Sequence, residues 1–92
     1  MLKVNEYFNG KVKSIAFQSD EGKATVGVIL PGEYEFGTVK PETMAITTGA
    51  MAVKLPDADW VEYAAGQCFE VPGNARFRVR LKTEVSYLCH YH

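Results

Sequence analysis

Through most of the chain apolar side chains recur at every second position, and the runs are separated by Gly, Pro, Asp and Glu. That is the pattern of short β-strands with one buried face and corners between them. Lys11 to Gln18, apolar at Val12, Ile15 and Phe17, reads as a strand with a polar outer face, and the turn Asp20-Glu21-Gly22-Lys23 joins it in a hairpin to the β-branched run Ala24 to Leu30. After Pro31-Gly32 the alternation resumes, with Tyr34, Phe36 and Thr38 on one face and Glu35 and Gly37 on the other. Lys40-Pro41-Glu42 makes the next corner; Met44, Ile46 and Thr48 lead into Gly49, and Met51, Val53 and Leu55 follow on one face. The stretch Gly49 to Val79 organises the rest: an acidic turn, Pro56-Asp57-Ala58-Asp59, precedes Trp60 to Tyr63, then Gly66, the strand Cys68 to Val71, and Pro72-Gly73. Arg76 to Leu81 alternates cations with Phe77, Val79 and Leu81, and Ser86 to Tyr91 alternates Tyr87, Cys89 and Tyr91 with Leu88 and His90. Roughly eight or nine short strands and almost no helix predict an all-β barrel or sandwich.

Length changes the picture by limiting it: 92 residues, 47% hydrophobic, hold one domain over residues 1–92 with one core. Such a small barrel leaves strand edges to cover, and the apolar group Trp60, Val61 and Tyr63 beside the acidic turn predicts a symmetric homodimer. A net charge of −1 gives no general attraction to nucleic acid or anionic membrane, and no apolar run has the roughly 18 residues of a membrane span. The expectation is therefore a cytoplasmic protein without a nucleic-acid or membrane partner. Two cysteines, Cys68 and Cys89, are too few for a disulfide framework, which suits a reducing compartment.

Several segments carry a resemblance. Gly66 and Pro72-Gly73 followed by Phe77, with Glu42 and Gly49 upstream, are similar to worn versions of the two cupin motifs. The opening Asn5-Glu6-Tyr7-Phe8, Gly10 to Ser14, Gly32-Glu33-Tyr34, Pro41-Glu42, Leu55-Pro56 with Trp60, Val71-Pro72-Gly73 and the ending Ser86-Tyr87-Leu88-Cys89 resemble the pyrimidine/purine nucleoside phosphorylase family of cupin fold, over nearly the whole chain. The resemblance implies a cupin-like double-sheet β-barrel of jelly-roll type. It also implies an enzyme in which inorganic phosphate cleaves purine and pyrimidine nucleosides, with broad specificity, to free base and ribose 1-phosphate. Metal-binding cupins carry histidines where this chain has Phe36, Thr38, Lys40 and Phe77, so neither a metal nor another cofactor is expected.

Phosphorolysis needs donors for the phosphate, polar groups for the ribose hydroxyls, and a π-face for the base. Under the resemblance, Glu42 is the candidate for the ribose hydroxyls. Tyr34, Phe36, Thr38, Phe77, Tyr87 and Tyr91 are the candidates for substrate binding, and Lys13, Lys40, Arg78 and His90 for phosphate. Each also has an ordinary structural reading. Inward aromatics fill barrel cores, an alternating Arg row is the solvated face of a strand, and Lys13 near a sheet edge discourages edge-to-edge pairing. Glu42 after Pro41 can be a turn residue, Cys89 a small buried hydrophobe, and His90 a surface histidine. Two other functions stay open on the same fold: a non-catalytic small-molecule binding barrel and a sugar-phosphate isomerase.

Overall fold

The computed structural model describes residues Met1–His92. Ten strands run in order: β1 (Lys3–Tyr7), β2 (Val12–Ser19), β3 (Gly22–Ile29), β4 (Gly32–Gly37), β5 (Glu42–Thr48), β6 (Ala50–Lys54), β7 (Trp60–Ala64), β8 (Cys68–Val71), β9 (Arg76–Leu81) and β10 (Val85–Tyr91). They pair antiparallel in two sheets, one of six strands ordered β1-β2-β3-β10-β5-β8 and one of four ordered β4-β9-β6-β7. The sheets close on a single core that includes Val12, Ile29, Ile46, Met51, Val53 and Val79. No helix is long and apolar enough to cross a membrane.

The predicted hairpin is present, and a second one forms at the acidic turn. β2 and β3 pair from Val12↔Ile29 to Ser19↔Gly22, and β6 and β7 pair across the acidic turn. Both inward sets hold: Tyr34 and Thr38 are buried with Phe36 partly so, and Phe77, Val79 and Leu81 are all buried. Two details differ from the expectation. The opening segment is a strand, β1, along the edge of the six-stranded sheet. In β2 the inward positions are Val12 and Ser14 while Ile15 faces out, because an unbroken pleat carries Ser14 to the same side as Val12.

Ile15 is not alone outside. Val4↔Ile15, Ile15↔Val26, Val26↔Leu88, Leu88↔Ala45 and Ala45↔Cys68 are register partners, so one mostly apolar row crosses all six strands on the outer face. Val4 is 58% and Val26 42% exposed. The Trp60 cluster, by contrast, is divided. Tyr63 turns in to stack on Phe69 at 4.9 Å between centroids, while Trp60 lies outside beneath the Arg80 guanidinium at 4.1 Å and that of Arg78 at 5.7 Å.

The chain passes from one sheet to the other at Gly49, between β5 and β6. Its φ of +89° lies in the region that favours glycine, and a methyl group there would stand 2.7 Å from the Glu84 carbonyl oxygen. Gly49→Ala is therefore expected to lose about 1–3 kcal/mol of stability, read as a lower urea midpoint. An unchanged midpoint would show that the corner can relax.

Candidate functional site

At one end of the barrel the inward positions change from aliphatic to polar and aromatic, and a chamber of about 370 Å³ opens between the sheets. That volume lies within the roughly 300–1,000 Å³ usual for small-molecule sites. The six-stranded sheet supplies Ser14, Thr25, Glu42, Tyr87, Cys89 and Tyr91; the four-stranded sheet supplies Phe36 and Phe77 from facing strands. Tyr7 and Phe8, from the end of β1 and the turn after it, complete the wall. The aromatic side is continuous. Phe36 lies 5.6 Å from Phe77 and 5.6 Å edge-on from Phe8, centroid to centroid, so two rings hold the position of the third.

Across from them, Tyr87 lies over Gly27, its register partner on β3. A methyl group on Gly27 would stand 2.5 Å from the Tyr87 hydroxyl, so the bare glycine makes room for the phenol to lie along the sheet. Burial pushes the Tyr87 phenol well above its ordinary range, against a hydrogen bond from Ser14 that favours the charged form. The Tyr91 hydroxyl lies 3.1 Å from Thr25 Oγ1, and burial pushes it up to about 12. Both phenols are therefore protonated at neutral pH and available as donors.

Glu42 opens β5 opposite Tyr91, and its carboxyl points inward from the same face as Met44 and Ile46. The Cys89 thiol donates to its Oε1 over 3.3 Å. Desolvation raises the Glu42 pKa above the ordinary 4.5, only partly offset by that hydrogen bond. Burial, with the neighbouring Glu42 charge, pushes the Cys89 thiol up to about 12, so Cys89 serves here as a donor and not as a thiolate nucleophile. No three His, Cys, Asp or Glu side chains converge as a metal-binding group.

The structure brings together Glu42, Phe36, Phe77, Tyr87 and Tyr91 of the residues expected from sequence. The others lie elsewhere. Tyr34 is inward but its hydroxyl donates to the Leu30 carbonyl at 2.8 Å, and Thr38 donates to the Pro72 carbonyl at 2.6 Å and accepts from the Ala75 amide at 3.1 Å. Both hydroxyls hold backbone and do not line the chamber. Lys13 faces outward and pairs with Glu6 at 3.0 Å; Arg78 faces outward and pairs with Glu33. His90 occupies the opposite face of β10 from Cys89 and Tyr91, with Nε2 3.9 Å from Glu21. Of the proposed phosphate donors, Lys40 alone borders the site, in a groove that shares Glu42 and Tyr91 with the chamber. Tyr7 and Phe8 line the chamber without being expected there, and so do Ser14 and Thr25, which apolar alternation passes over because it marks apolar positions. The parity of these last two with Val12 and Ile29 is the signal that identifies them.

Glu42→Gln keeps an acceptor for Cys89 but removes a charge that burial disfavours. Because the folded-state pKa is raised, the wild-type carboxyl is disfavoured once ionised, so the variant is expected to melt higher than wild type at neutral pH. The gain should vanish as pH falls below 4.5, where the carboxyl is protonated in both states. A variant that melts lower at neutral pH would mean that the ionised carboxylate stabilises the fold.

Comparison with known proteins agrees with this geometry. The sequence model of the pyrimidine/purine nucleoside phosphorylase family matches residues 2–91. A protein of that name from Pseudomonas entomophila is 55% identical over 92 residues, covering 99% of this chain and 98% of its own. The crystal structure of a Vibrio parahaemolyticus protein of unknown function superposes with a TM-score of 0.94 at 45% identity, over 100% of this chain and 99% of that one. An RmlC-like cupin from Shewanella frigidimarina superposes with a TM-score of 0.75 at 18% identity, over 96% of this chain and 80% of that one. The fold is that of the cupins, a double-sheet all-β barrel.

Proposed function

The chain belongs to the pyrimidine/purine nucleoside phosphorylase family, and from that premise we propose that its chamber holds a nucleoside while inorganic phosphate attacks the anomeric carbon. The C1′–N bond breaks, a C1′–O bond to phosphate forms, and the base nitrogen takes a proton as free base leaves with ribose 1-phosphate. The observation that carries this reading is one chamber combining an aromatic wall, a buried inward carboxyl and two protonated phenols.

Each part has a physical task. Phe36, backed by the buried Phe77, offers a π-face that accepts purines and pyrimidines alike, since stacking does not read ring substituents; broad specificity follows. Ionised Glu42 accepts hydrogen bonds from the ribose hydroxyls and is favoured by the positive charge that develops on the sugar in the transition state. The Tyr87 and Tyr91 phenols donate to polar atoms of the substrate, and their high pKa values keep the donor form in place. In this reading the enzyme is a pentosyltransferase that needs no cofactor. It works in the cytoplasm, where Cys68 and Cys89 stay free thiols.

The protein also works as a homodimer in this reading, formed by a second copy on the outer face of the six-stranded sheet. The support is the row from Val4 to Leu88, bordered by the Glu6–Lys13 pair on one side. An apolar band with a charged rim is the composition of a protein interface. Light scattering is expected to give the mass of two chains, and Ile15→Lys with Val26→Lys the mass of one. A wild-type mass of one chain would refute the pairing.

Purified protein is expected to release base from several purine and pyrimidine nucleosides only when phosphate is present. Glu42→Gln should slow turnover by about ten- to a thousandfold, as loss of a charged hydrogen bond that strengthens in the transition state requires. The wild-type rate should fall as pH drops through the raised Glu42 pKa, above 4.5, and the variant should lack that limb. Phe36→Ala should raise KM for all nucleosides by a similar factor, about 5- to 150-fold from the roughly 1–3 kcal/mol of a stacked base. Release that is equally fast without phosphate would mean hydrolysis. No release with any nucleoside would favour a binding protein.

A further inference from the structure

The chamber has everything the reaction asks for except a place for phosphate. Its charged lining residues are Glu35 and Glu42, with no Lys, Arg or His among them. Glu35 is paired with Arg76, so a phosphate dianion in the partly desolvated chamber would meet the Glu42 carboxylate with no cation to offset it. The cations stand next door. A groove of about 550 Å³ shares Tyr7, Gly37, Glu42 and Tyr91 with the chamber and adds the two lysines Lys23 and Lys40, beside Val39 and His92.

We propose that this groove is the phosphate subsite of the reaction described above, that Lys23 and Lys40 hold the anion, and that Glu42 and Tyr91 stand where the glycosidic bond is broken. The inference rests on the phosphorolysis reading for the identity of the anion. The geometry that supports it is independent of that reading.

Register puts Lys23 here. It pairs with Gln18 near the start of β3 and has the parity of Thr25 and Ile29, so it stands exposed on the rim where the inward face meets the open end of the barrel. Thr25, two residues on, bonds the Tyr91 hydroxyl, and Tyr91 in turn is the register partner of Glu42. Lys23, Tyr91 and Glu42 thus follow one another across three adjacent strands, from cation through phenol to carboxyl. His92 borders the groove through its backbone, its amide donating to the Pro41 carbonyl at 2.9 Å, while its ring turns to the outer face, where Nε2 lies 2.7 Å from Thr43 Oγ1. Lys40 comes from the loop between β4 and β5 that ends at Glu42.

Charge pairing separates these lysines from the other cations considered for the same task. Lys13 and Arg78 have carboxylate partners, Glu6 and Glu33 respectively. Lys23 and Lys40 are in no ion pair, so their charge is available to a ligand. With phosphate in the groove and the base in the chamber, nucleophile and leaving group lie on either side of a ribose at the shared wall, the arrangement that displacement at C1′ needs.

Binding of inorganic phosphate, followed by phosphorus NMR in phosphate-free buffer without nucleoside, tests the site apart from turnover. Wild-type protein should bind saturably. Lys23→Ala with Lys40→Ala should weaken binding by about tenfold or more through lost charge-assisted contacts, and Lys23→Arg with Lys40→Arg should retain it. Lys82→Ala, at the far end of the barrel, should match wild type. In turnover, the double alanine variant should raise KM for phosphate by a similar factor and leave KM for nucleoside unchanged. Equal phosphate binding by wild type and the double alanine variant, or no binding by wild type, overturns the assignment. Phosphorolysis with an unchanged phosphate KM in that variant sinks the groove and leaves the proposed function standing. Lysine-dependent phosphate binding without any phosphorolysis upholds the groove as an anion site and sinks the function.

Discussion

A β-strand sends every second side chain to the same face, and in a chain this short two sheets must share a single interior. Every inward position is therefore spent either on the core or on the site. Along β10 the change of purpose is visible within one strand: Val85 lies in the core, Tyr87 and Cys89 are buried yet border the chamber, and Tyr91 reaches the open end. On β3 the same face runs from Ile29 through Gly27 and Thr25 to Lys23. The barrel is thus graded along its axis, from aliphatic to aromatic and hydroxylic to charged, and no added domain or long insertion is needed to make a site.

Grading solves an electrostatic difficulty. A carboxyl and a polyanion cannot share a small desolvated space without large cost, and a lysine deep inside would tend to lose its proton. Glu42 sits at the intermediate level, where burial is enough to raise its pKa yet Cys89 supplies a donor. The lysines remain exposed at the rim, Lys40 two residues before Glu42 and Lys23 on the strand that flanks Tyr91 on its other side. The buried phenols and thiol are all held in their neutral, donating forms, so the chamber offers hydrogen bonds without adding charge.

Much of the fold could be read from the sequence because alternation and corners act locally. Tyr34, Phe36 and Thr38, and likewise Phe77, Val79 and Leu81, fall where their parity predicts. Parity gives a face but neither depth nor partners. Tyr34 and Thr38 face inward and still contribute nothing to the chamber, because backbone carbonyls only a few ångströms away take their hydroxyl protons. Cations were harder to assign, since one charge resembles another until its neighbours are known. Arg78 and Lys13 are neutralised by carboxylates brought close by strand pairing, and His90 is turned away by the parity it shares with Leu88. Ile15 misled for the complementary reason: an apolar residue marks burial only if nothing else is asked of it, and the outer face of the six-stranded sheet carries an apolar row of its own.

The division of the Trp60 cluster has an optical consequence. Trp60 is the chain's one tryptophan, and it stacks under two guanidinium groups on the side of the four-stranded sheet turned away from the interior. Its emission therefore reports the integrity of the β6–β7 hairpin and its cationic cover, and filling the chamber leaves that surrounding unchanged. Tyr7, Tyr87 and Tyr91 line the chamber itself. For this protein the tyrosine bands of the near-ultraviolet spectrum are the intrinsic probe of occupancy, and tryptophan emission is the probe of unfolding.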